Sequence, residues 1–402
     1  MKKTIIPQGT VTSPKGFVAS GFHAGIKKNK LDTALILSTS PAVAGATFTR
    51  NTAKAWPVLW SKKAVQHRTH RAIFGTSGNA NCFNGDGGRE AVRRCVKFLS
   101  AKLGIAEDEV LIAQTGIIGR AFPTAKVLKG IPPLIETLAP DGGHRAAQGI
   151  LTTDRQTKEI AVSFTIEGKE VRIGGCAKGA GMLNPNMATM LCFITTDAAI
   201  GKAVLRQALK EAVDDTFNQI CIDNDMSTND TVFILANGQA GNPKILTKGS
   251  GYKIFVSQLK RVCRTIAKGL VKDGEGVNRV AEIKVTGARN SREAKIIARQ
   301  IGQSMLFKTM LAGGDPNWGR VVAAVGSTKF PFDPKRLDVS FEGVKVLNHG
   351  RVHQEQVPAL RKKLQRKQVD VAVNLNLGRG EARFLTCDLT QAYVRINAWL
   401  TT

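Results

Sequence analysis

The sequence predicts a mixed α/β protein, an α+β layered sandwich rather than a doubly wound parallel sheet. Short apolar runs typical of strands follow one another without a helix between each pair, which disfavours regular alternation of strands and helices. Three longer segments, 88–103, 203–218 and 254–271, carry apolar residues at helical spacing. A chain of 402 residues, 43% of them hydrophobic, suffices for two or three domains or one large unit.

Strand signals recur along the whole chain. The run 160–173 alternates around a Glu-Gly pair, which is typical of a hairpin. Residues 369–375 alternate cleanly, and we expect 382–385 to return antiparallel to them. A further helix is expected at 291–301. The other predicted strands are short and largely apolar: 31–38, 55–60, 110–115, 190–195, 231–236 and 281–285.

The chain is strongly basic, with 58 Lys and Arg residues against 31 Asp and Glu and a formal net charge of +27. Such an excess favours anionic partners, namely nucleic acid, acidic lipid headgroups or small acidic metabolites. Aromatic residues make up only 6% of the chain and do not interleave with the basic patches. This pattern disfavours specific nucleic-acid recognition, although a basic nucleic-acid-binding protein stays the alternative from another functional class.

The seven cysteines are far apart and include no Cys-x-x-Cys pair, so neither a metal cluster nor a disulfide framework is expected. No segment approaches the roughly 18–20 consecutive apolar residues of a membrane span. The two lysines near the start are followed by no sustained apolar run, so no signal peptide is expected either. Together these features predict a cytoplasmic protein without a bound metal.

The segment between Lys178 and Met190 is the most unusual stretch of the sequence. Its glycines and Pro185 constrain the backbone just before an apolar strand. Thr189 stands at the start of that strand, where a threonine ordinarily only packs. Its hydroxyl is a weak nucleophile that needs a neighbouring base. Self-cleavage between Ala188 and Thr189 would create one, because the freed α-amine has a pKa of about 8.

The motif Lys-Gly-x-Gly-Met-x-x-Pro-Asn-Met-Ala-Thr-Met-Leu at residues 178–191 resembles the self-cleavage region of a known family. That family is the bifunctional ornithine acetyltransferase / N-acetylglutamate synthase family of arginine biosynthesis. The match is long and specific, unlike a lone glycine motif. Further motifs resemble those of the same family, in the same order and over nearly the whole chain. They lie at 76–81, 115–119, 152–154, 273–276, 314–320 and 393–398.

The resemblance implies a glutamate N-acetyltransferase that works by a ping-pong route. Thr189 would take the acetyl group from N2-acetylornithine, release ornithine, and pass the acetyl group to glutamate. The implied fold is N-terminal-nucleophile-like, with two sheets between helices. Self-cleavage would leave an α chain of residues 1–188 and a β chain of residues 189–402, assembled as two α and two β chains. No cofactor is implied, while acetyl-CoA stays open as a second acetyl donor.

The same resemblance implies the site residues. The Thr115 side chain and the Gly116 amide would stabilise the oxyanion of the tetrahedral intermediate. Glu275 would hold the amino end of ornithine by charge pairing. Sequence alone does not distinguish Thr152 from Thr153 as the hydrogen-bonding partner of the substrate. The full set of implied substrate contacts is Thr152, Thr153, Lys178, Thr189, Glu275, Asn397 and Thr402.

Several features depart from the family pattern, among them the end of the chain at 399–402 and the strong basic charge. Gln114 precedes the Thr-Gly pair, where family members have a small residue, and Asn184 precedes Pro-Asn, where another residue type is expected. These departures leave the preferred acetyl donor open. The alternative function is a self-processing amidohydrolase or aminopeptidase with the same kind of nucleophile, in which water rather than an amine takes the acyl group.

Overall fold

The larger of two β-sheets organises most of the chain. The structure, a computed structural model, describes residues 4–184 and 190–399. Within these ranges the strands of the larger sheet are β1 (Thr4–Ile6), β2 (Phe17–Phe22), β3 (Thr33–Phe48), β4 (His70–Asn79), β5 (Val110–Ile117), β6 (Lys158–Ile166), β7 (Lys169–Lys178), β8 (Leu191–Thr196) and β10 (Thr231–Ala236). Their order across the sheet is β1-β6-β7-β8-β10-β3-β4-β5, with β2 paired to β3.

Strand β3 is 16 residues long and takes part in both halves of this sheet. Its second half, up to Phe48, pairs with β10, whereas its first half pairs with β2 and β4. The register to β4 shifts between Leu37 and Ala42, where the sheet changes direction. Phe193 of β8 and Ile73 of β4 belong to one buried apolar core. The two halves therefore pack face to face as two β layers.

Helices cover both outer faces of these layers. In this part of the chain the helices are α1 (Trp56–Ala64), α2 (Gly85–Leu103), α3 (Thr124–Glu136), α4 (Gly143–Gly149), α5 (Lys202–Asp214) and α6 (Ser250–Lys272). Apolar side chains of α2 and α3 pack on the half with β4 and β5, and those of α5 and α6 pack on the half with β6 to β8. The predicted arrangement of two sheets between helices is confirmed. Among the described helices, none combines the length and hydropathy needed to cross a membrane.

A second sheet forms a lobe with its own core. Its strands are β9 (Ile220–Cys221), β11 (Val280–Ala288), β12 (Asp338–Phe341), β13 (Val344–Asn348), β14 (Arg351–Val352), β15 (Gln368–Asn374) and β16 (Gly380–Cys387), in the order β14-β13-β12-β15-β11-β16-β9. The helices that contribute to this core are α7 (Ser291–Gln303), α8 (Met305–Gly313), α9 (Trp318–Gly326) and α10 (Val357–Lys363). A last helix, α11 (Gln391–Trp399), follows β16.

Two of the sequence predictions are wrong. Residues 55–60 lie mainly in helix α1 rather than in a strand, because Pro57 suits the first helical turn and the short apolar run carries no strand-specific signal. Residues 382–385 lie in β16, which pairs antiparallel with β11, while β15 pairs in parallel with the other side of β11. The strand predicted at 231–236 and the helix predicted at 88–103 are confirmed as β10 and α2.

Candidate active site

Side chains from distant parts of the sequence line one cavity of about 130 Å³. The cavity lies where β5 and β7 end, beside the loops that follow α4 and α6 and beside helix α11. The predicted site residues that line it are Thr115, Gly116, Thr152, Thr153, Lys178, Glu275 and Asn397. The fold therefore assembles in one place the residues that the family resemblance selected.

Three predicted positions, Ala188, Thr189 and Thr402, lie outside the described residues. The strands on either side of the central gap are described. β7 ends at Lys178, β8 begins at Leu191, and these two residues are direct partners in an antiparallel ladder. The start of β8 thus lies beside the cavity wall that Lys178 forms.

The end of β5 holds Thr115 and Gly116 in the cavity wall. β5 pairs in parallel with β4, which brings Gly116 against Gly78. Gly116 has a φ of +130°, and a Cβ at this position would lie 2.3 Å from the carbonyl carbon of Gly78. Since no side chain tolerates so close an approach to a neighbouring backbone, only glycine fits. This contact fixes the backbone that presents the Thr115 hydroxyl and the Gly116 amide.

Lys178 is buried beside Thr115. Its Nζ lies 3.2 Å from Oγ1 of Thr115, and only 3% of the residue is exposed. Burial lowers the pKa of Lys178 because it penalises the charged ammonium, and the attraction of Asp154 offsets only part of this effect. A lysine with a lowered pKa holds a larger fraction of neutral amine near pH 7, and this amine can accept a proton.

Lys158, Asp154 and Asp273 form a buried ion cluster behind the cavity. The Nζ of Lys158 contacts Asp154 and lies 2.5 Å from Oδ2 of Asp273, and each of the three side chains is at most 2% exposed. Burial acts to raise the pKa of Asp154, but Lys178 and Lys158 outweigh burial and hold this pKa at about 2. The cluster therefore keeps Asp154 ionised.

The ion cluster connects three segments of the site. Asp154 accepts hydrogen bonds from the amide of Thr152 at 3.0 Å and from the amide of Gly179 at 2.7 Å. Asp273 accepts one from the amide of Arg155 at 3.0 Å. The loop after α4, the end of β7 and the loop after α6 are thus tied together by charge-assisted hydrogen bonds.

Glu275 also lines the cavity, and both its carboxylate oxygens accept hydrogen bonds. Thr153 Oγ1 donates a hydrogen bond to Oε1 at 2.6 Å, and Asn397 Nδ2 donates one to Oε2 at 2.9 Å. The Thr152 hydroxyl lies instead 3.4 Å from Asp154. The two neighbouring threonines, which sequence alone could not distinguish, therefore have different partners.

Sequence analysis missed several residues of the cavity, among them Asp223 and Tyr393. Asp223 accepts hydrogen bonds from the amides of Met182 and Leu183, at the last turn of chain before the gap. Burial raises the pKa of Asp223, and burial together with nearby carboxylates raises the pKa of Tyr393. The available signals were the short Asp-Asn-Asp segment at 223–225 and, for Tyr393, the family motif at 393–398.

Gln114 and Asn184, which depart from the family pattern, each form hydrogen bonds with other segments of the chain. Gln114 is fully buried, and its Oε1 accepts a hydrogen bond from Asn81 Nδ2 at 2.8 Å. Asn184 accepts a hydrogen bond from Gln303 at the end of α7 and donates one to the carbonyl of Asn224. Neither Gln114 nor Asn184 is among the described residues that line the cavity.

Two β layers between helices, with a threonine-glycine pair and a buried lysine at one cavity, are what the family resemblance implies for an acetyltransferase with an N-terminal-nucleophile-like fold. Sequence comparisons agree with this class. The model of the ArgJ family matches residues 18–402. The chain is 43% identical over 401 residues to the arginine biosynthesis bifunctional protein ArgJ of Dehalococcoides mccartyi, a match that covers 99% of this chain and 98% of that protein. It is 42% identical over 410 residues to the glutamate N-acetyltransferase of Methanocaldococcus jannaschii, covering 98% of each.

A solved structure supports the same relationship. The crystal structure of the arginine biosynthesis bifunctional protein ArgJ from Bacillus halodurans matches with a TM-score of 0.50 and 36% identity, covering 52% of this chain and 98% of that chain. Since the family model and the relatives span nearly the whole length, the chain belongs to the ArgJ family. The resemblance found in the sequence is confirmed, as is the assignment to an acetyltransferase enzyme. The roles of individual residues stay predictions.

Replacing Lys158 with methionine should strongly destabilise the fold. Asp154 and Asp273 would keep buried charges without their shared cation, so we expect the free energy of unfolding to fall by about 3–5 kcal/mol. Chemical denaturation measures this change. Lys169→Met is the matched control, because Lys169 is exposed at a hairpin turn and its loss should change stability by at most about 0.5 kcal/mol. Equal stabilities of the two variants would contradict the role of the cluster.

The ion cluster also predicts how stability depends on pH. The folded-state pKa of Asp154, about 2, lies below the ordinary value of about 3.9, so its contribution is present above pH 4 and is lost as the pH falls towards 2. Asp154→Asn should therefore make the free energy of unfolding depend less steeply on pH below 4, measured by denaturation at a series of pH values. The control Asp141→Asn changes an exposed residue and should show the same pH dependence as the wild type. An unchanged slope in Asp154→Asn would refute the assignment.

Proposed function

We propose that the chain is a self-cleaving acetyltransferase that moves the acetyl group of N2-acetylornithine to glutamate through an acetyl-Thr189 intermediate. One observation carries the proposal. The Thr115-Gly116 pair, Lys178 and Glu275 meet at one cavity beside the start of β8, in a chain of the ArgJ family. A relative named glutamate N-acetyltransferase supports the choice of acceptor.

In the first half-reaction, the Thr189 hydroxyl would attack the acetyl carbonyl of N2-acetylornithine, with the free α-amine of Thr189 as base. The Thr115 hydroxyl and the Gly116 amide would stabilise the resulting oxyanion, each contributing about 3 kcal/mol. Ornithine would leave with the proton, and the acetyl group would stay on Thr189 as an ester.

The second half-reaction would return the enzyme to its starting state. The α-amine of glutamate would attack the ester, the same oxyanion donors would act again, and N-acetylglutamate would leave. Thr189 itself carries the acetyl group, so no cofactor is required. Acetyl-CoA would be a second donor if its thioester reaches the same hydroxyl, which would add N-acetylglutamate synthesis to the activity.

The contact between Lys178 and Thr115 supports the oxyanion role. The Nζ of Lys178 donates a hydrogen bond to Oγ1 of Thr115. A hydroxyl that already accepts one hydrogen bond keeps its own proton free to donate. Lys178 would thus orient the Thr115 hydroxyl towards the oxyanion.

The negative charge of Glu275 suits the amine of ornithine. Thr153 and Asn397 hold the Glu275 carboxylate by one hydrogen bond to each oxygen, and further lone pairs remain to accept from an ammonium group. Glu275 would pair with the side-chain ammonium of N2-acetylornithine and of ornithine. Thr153 would act on the substrate through Glu275, whereas Thr152 would organise the loop through Asp154.

The cut between Ala188 and Thr189 would divide the chain near its middle, into an α chain of residues 1–188 and a β chain of residues 189–402. We further propose that two chains of each kind assemble together. The solved Bacillus halodurans chain corresponds over 98% of its length to 52% of this chain, which is the size that such a cut predicts for one product.

Purified protein should run as two bands on a denaturing gel. Sequencing from the amino end should give Thr-Met-Leu-Cys-Phe for the second band. Thr189→Ala should leave one uncut band without activity, because it removes the attacking hydroxyl, whereas Thr189→Ser keeps a hydroxyl and should still be cut. A single intact band in active wild-type enzyme would contradict the proposed nucleophile.

The choice between transfer and hydrolysis depends on the acceptor. With N2-acetylornithine alone, we expect about one ornithine released per active site, because the acetyl group stays on Thr189. Added glutamate should then allow continuous turnover with equal amounts of ornithine and N-acetylglutamate, measured by mass spectrometry. The uncut Thr189→Ala chain is the blank. Release of acetate at a rate that glutamate does not change would instead favour an amidohydrolase.

A further inference from the structure

A second ionisable group, Asp230, lies buried beside the start of β8. Asp230 directly precedes β10 and is 0% exposed. Its Oδ1 accepts a hydrogen bond from the amide of Met190 at 2.9 Å, and the neighbouring amide of Thr231 donates to the carbonyl of Met190 at 3.0 Å. Asp230 is therefore fixed against the residue that directly follows Thr189.

The second carboxyl oxygen of Asp230 has no hydrogen-bond partner in the part of the chain that the structure describes. Oδ2 is buried and finds no hydrogen-bond partner among residues 4–184 and 190–399. Burying a polar atom without a partner is costly, and burying an unpaired charge is costlier. Burial raises the pKa of Asp230, and the Met190 amide and Lys178 offset only part of this effect. Burial therefore shifts Asp230 towards its protonated form, which has an acidic proton to donate.

Covalent geometry limits what this proton can reach. The nitrogen of Thr189 is three covalent bonds from the nitrogen of Met190, so the two atoms are neighbours along the chain. The Asp230 carboxyl already touches the Met190 nitrogen. The Asp230 carboxyl is thus bound to the amide that follows, by one residue, the nitrogen of the peptide bond to be cut.

We propose that Asp230 is the proton donor of the self-cleavage step, giving its proton to the nitrogen of Thr189 as the Ala188–Thr189 bond breaks. This inference rests on the proposed self-cleavage. The bond from Thr189 Oγ to the Ala188 carbonyl carbon forms, and the carbon–nitrogen bond breaks. The hydroxyl proton passes to the neutral amine of Lys178, while Asp230 supplies the proton of the leaving amine. Water then hydrolyses the ester: its hydroxyl bonds to the Ala188 carbonyl carbon and the bond from that carbon to Oγ breaks. Lys178 returns its proton to Oγ, the remaining water proton restores Asp230, and the new carboxyl group of Ala188 loses its proton to solvent.

The same strand offers a matched control at its other end. Asp197 directly follows β8, is 0% exposed, and accepts the amides of Arg172 at 2.7 Å and Lys15 at 3.0 Å. Burial raises its pKa as well. It lies about 20 Å from Met190 along the strand, too far to serve the cut. Asp197→Asn therefore tests the loss of a buried carboxyl without the loss of a nearby acid.

The experiment follows cleavage of the full chain during and after cell-free translation, as conversion of the intact band into two. Asp230→Asn keeps an oxygen for the Met190 amide but has no acidic proton, so we expect cleavage at least about 100-fold slower than in the wild type. Asp230→Glu restores an acid and should cut within about tenfold of the wild-type rate. Asp197→Asn should cut within about threefold. Thermal unfolding of each chain checks that it is folded.

Several results would overturn the assignment. Cleavage of Asp230→Asn at the wild-type rate would exclude the role, and equal slowing in Asp197→Asn would reduce Asp230 to a structural carboxyl. A folded Asp230→Glu chain that is not cut would also count against a proton donor. A wild-type chain that stays intact would overturn self-cleavage itself, and this result is distinct from normal cleavage in Asp230→Asn alone.

Discussion

Two buried carboxylates share one ammonium group at Lys158, and the geometry of the site depends on that cluster. Asp273, after α6, accepts a backbone amide of the loop after α4, and Asp154, within that loop, also accepts the amide of Gly179 at the end of β7. The lysine that pairs with both carboxylates therefore links these segments. Lone buried charges would be driven apart or protonated. The positions of Thr153 and Glu275, which flank these two carboxylates in the sequence, follow from the cluster, and their hydrogen bond of 2.6 Å depends on it.

The cavity is also a junction between the two lobes. Glu275 stands on the connection from α6 to β11, where the chain passes from the first lobe to the second. Helix α11 follows the last strand of the second sheet and brings Asn397 back onto Glu275. Gln303, at the end of α7, holds Asn184 just before the gap in the described chain. The second lobe therefore helps to position the substrate wall and the segment that leads to the proposed cut.

The sequence predicts individual strands and helices, but it does not predict which strands distant in the sequence pair with each other. The apolar run at 231–236 is a strand because its own residues favour one, and it appears as β10. The neighbours of β15 depend on β11, about ninety residues earlier, and alternation within 369–375 carries no information about that pairing. Thr115 and Glu275 were found through the family motifs in which they stand. Lys158 lies in no such motif, and its role arises only when folding brings Asp273 to it.

Burial shifts the pKa values of Lys178 and Asp230, the two ionisable groups beside β8, in opposite directions. It disfavours the charged form of each group, so it lowers the pKa of Lys178 and raises that of Asp230. One environment would thus supply both the base and the acid of the proposed self-cleavage. A pair of this kind is what an acyl shift from nitrogen to oxygen requires, because one proton must leave the hydroxyl while another reaches the amine. After the cut, the α-amine of Thr189 takes over as base, so Asp230 would act once in the life of each chain, while Lys178 would continue to serve every turnover.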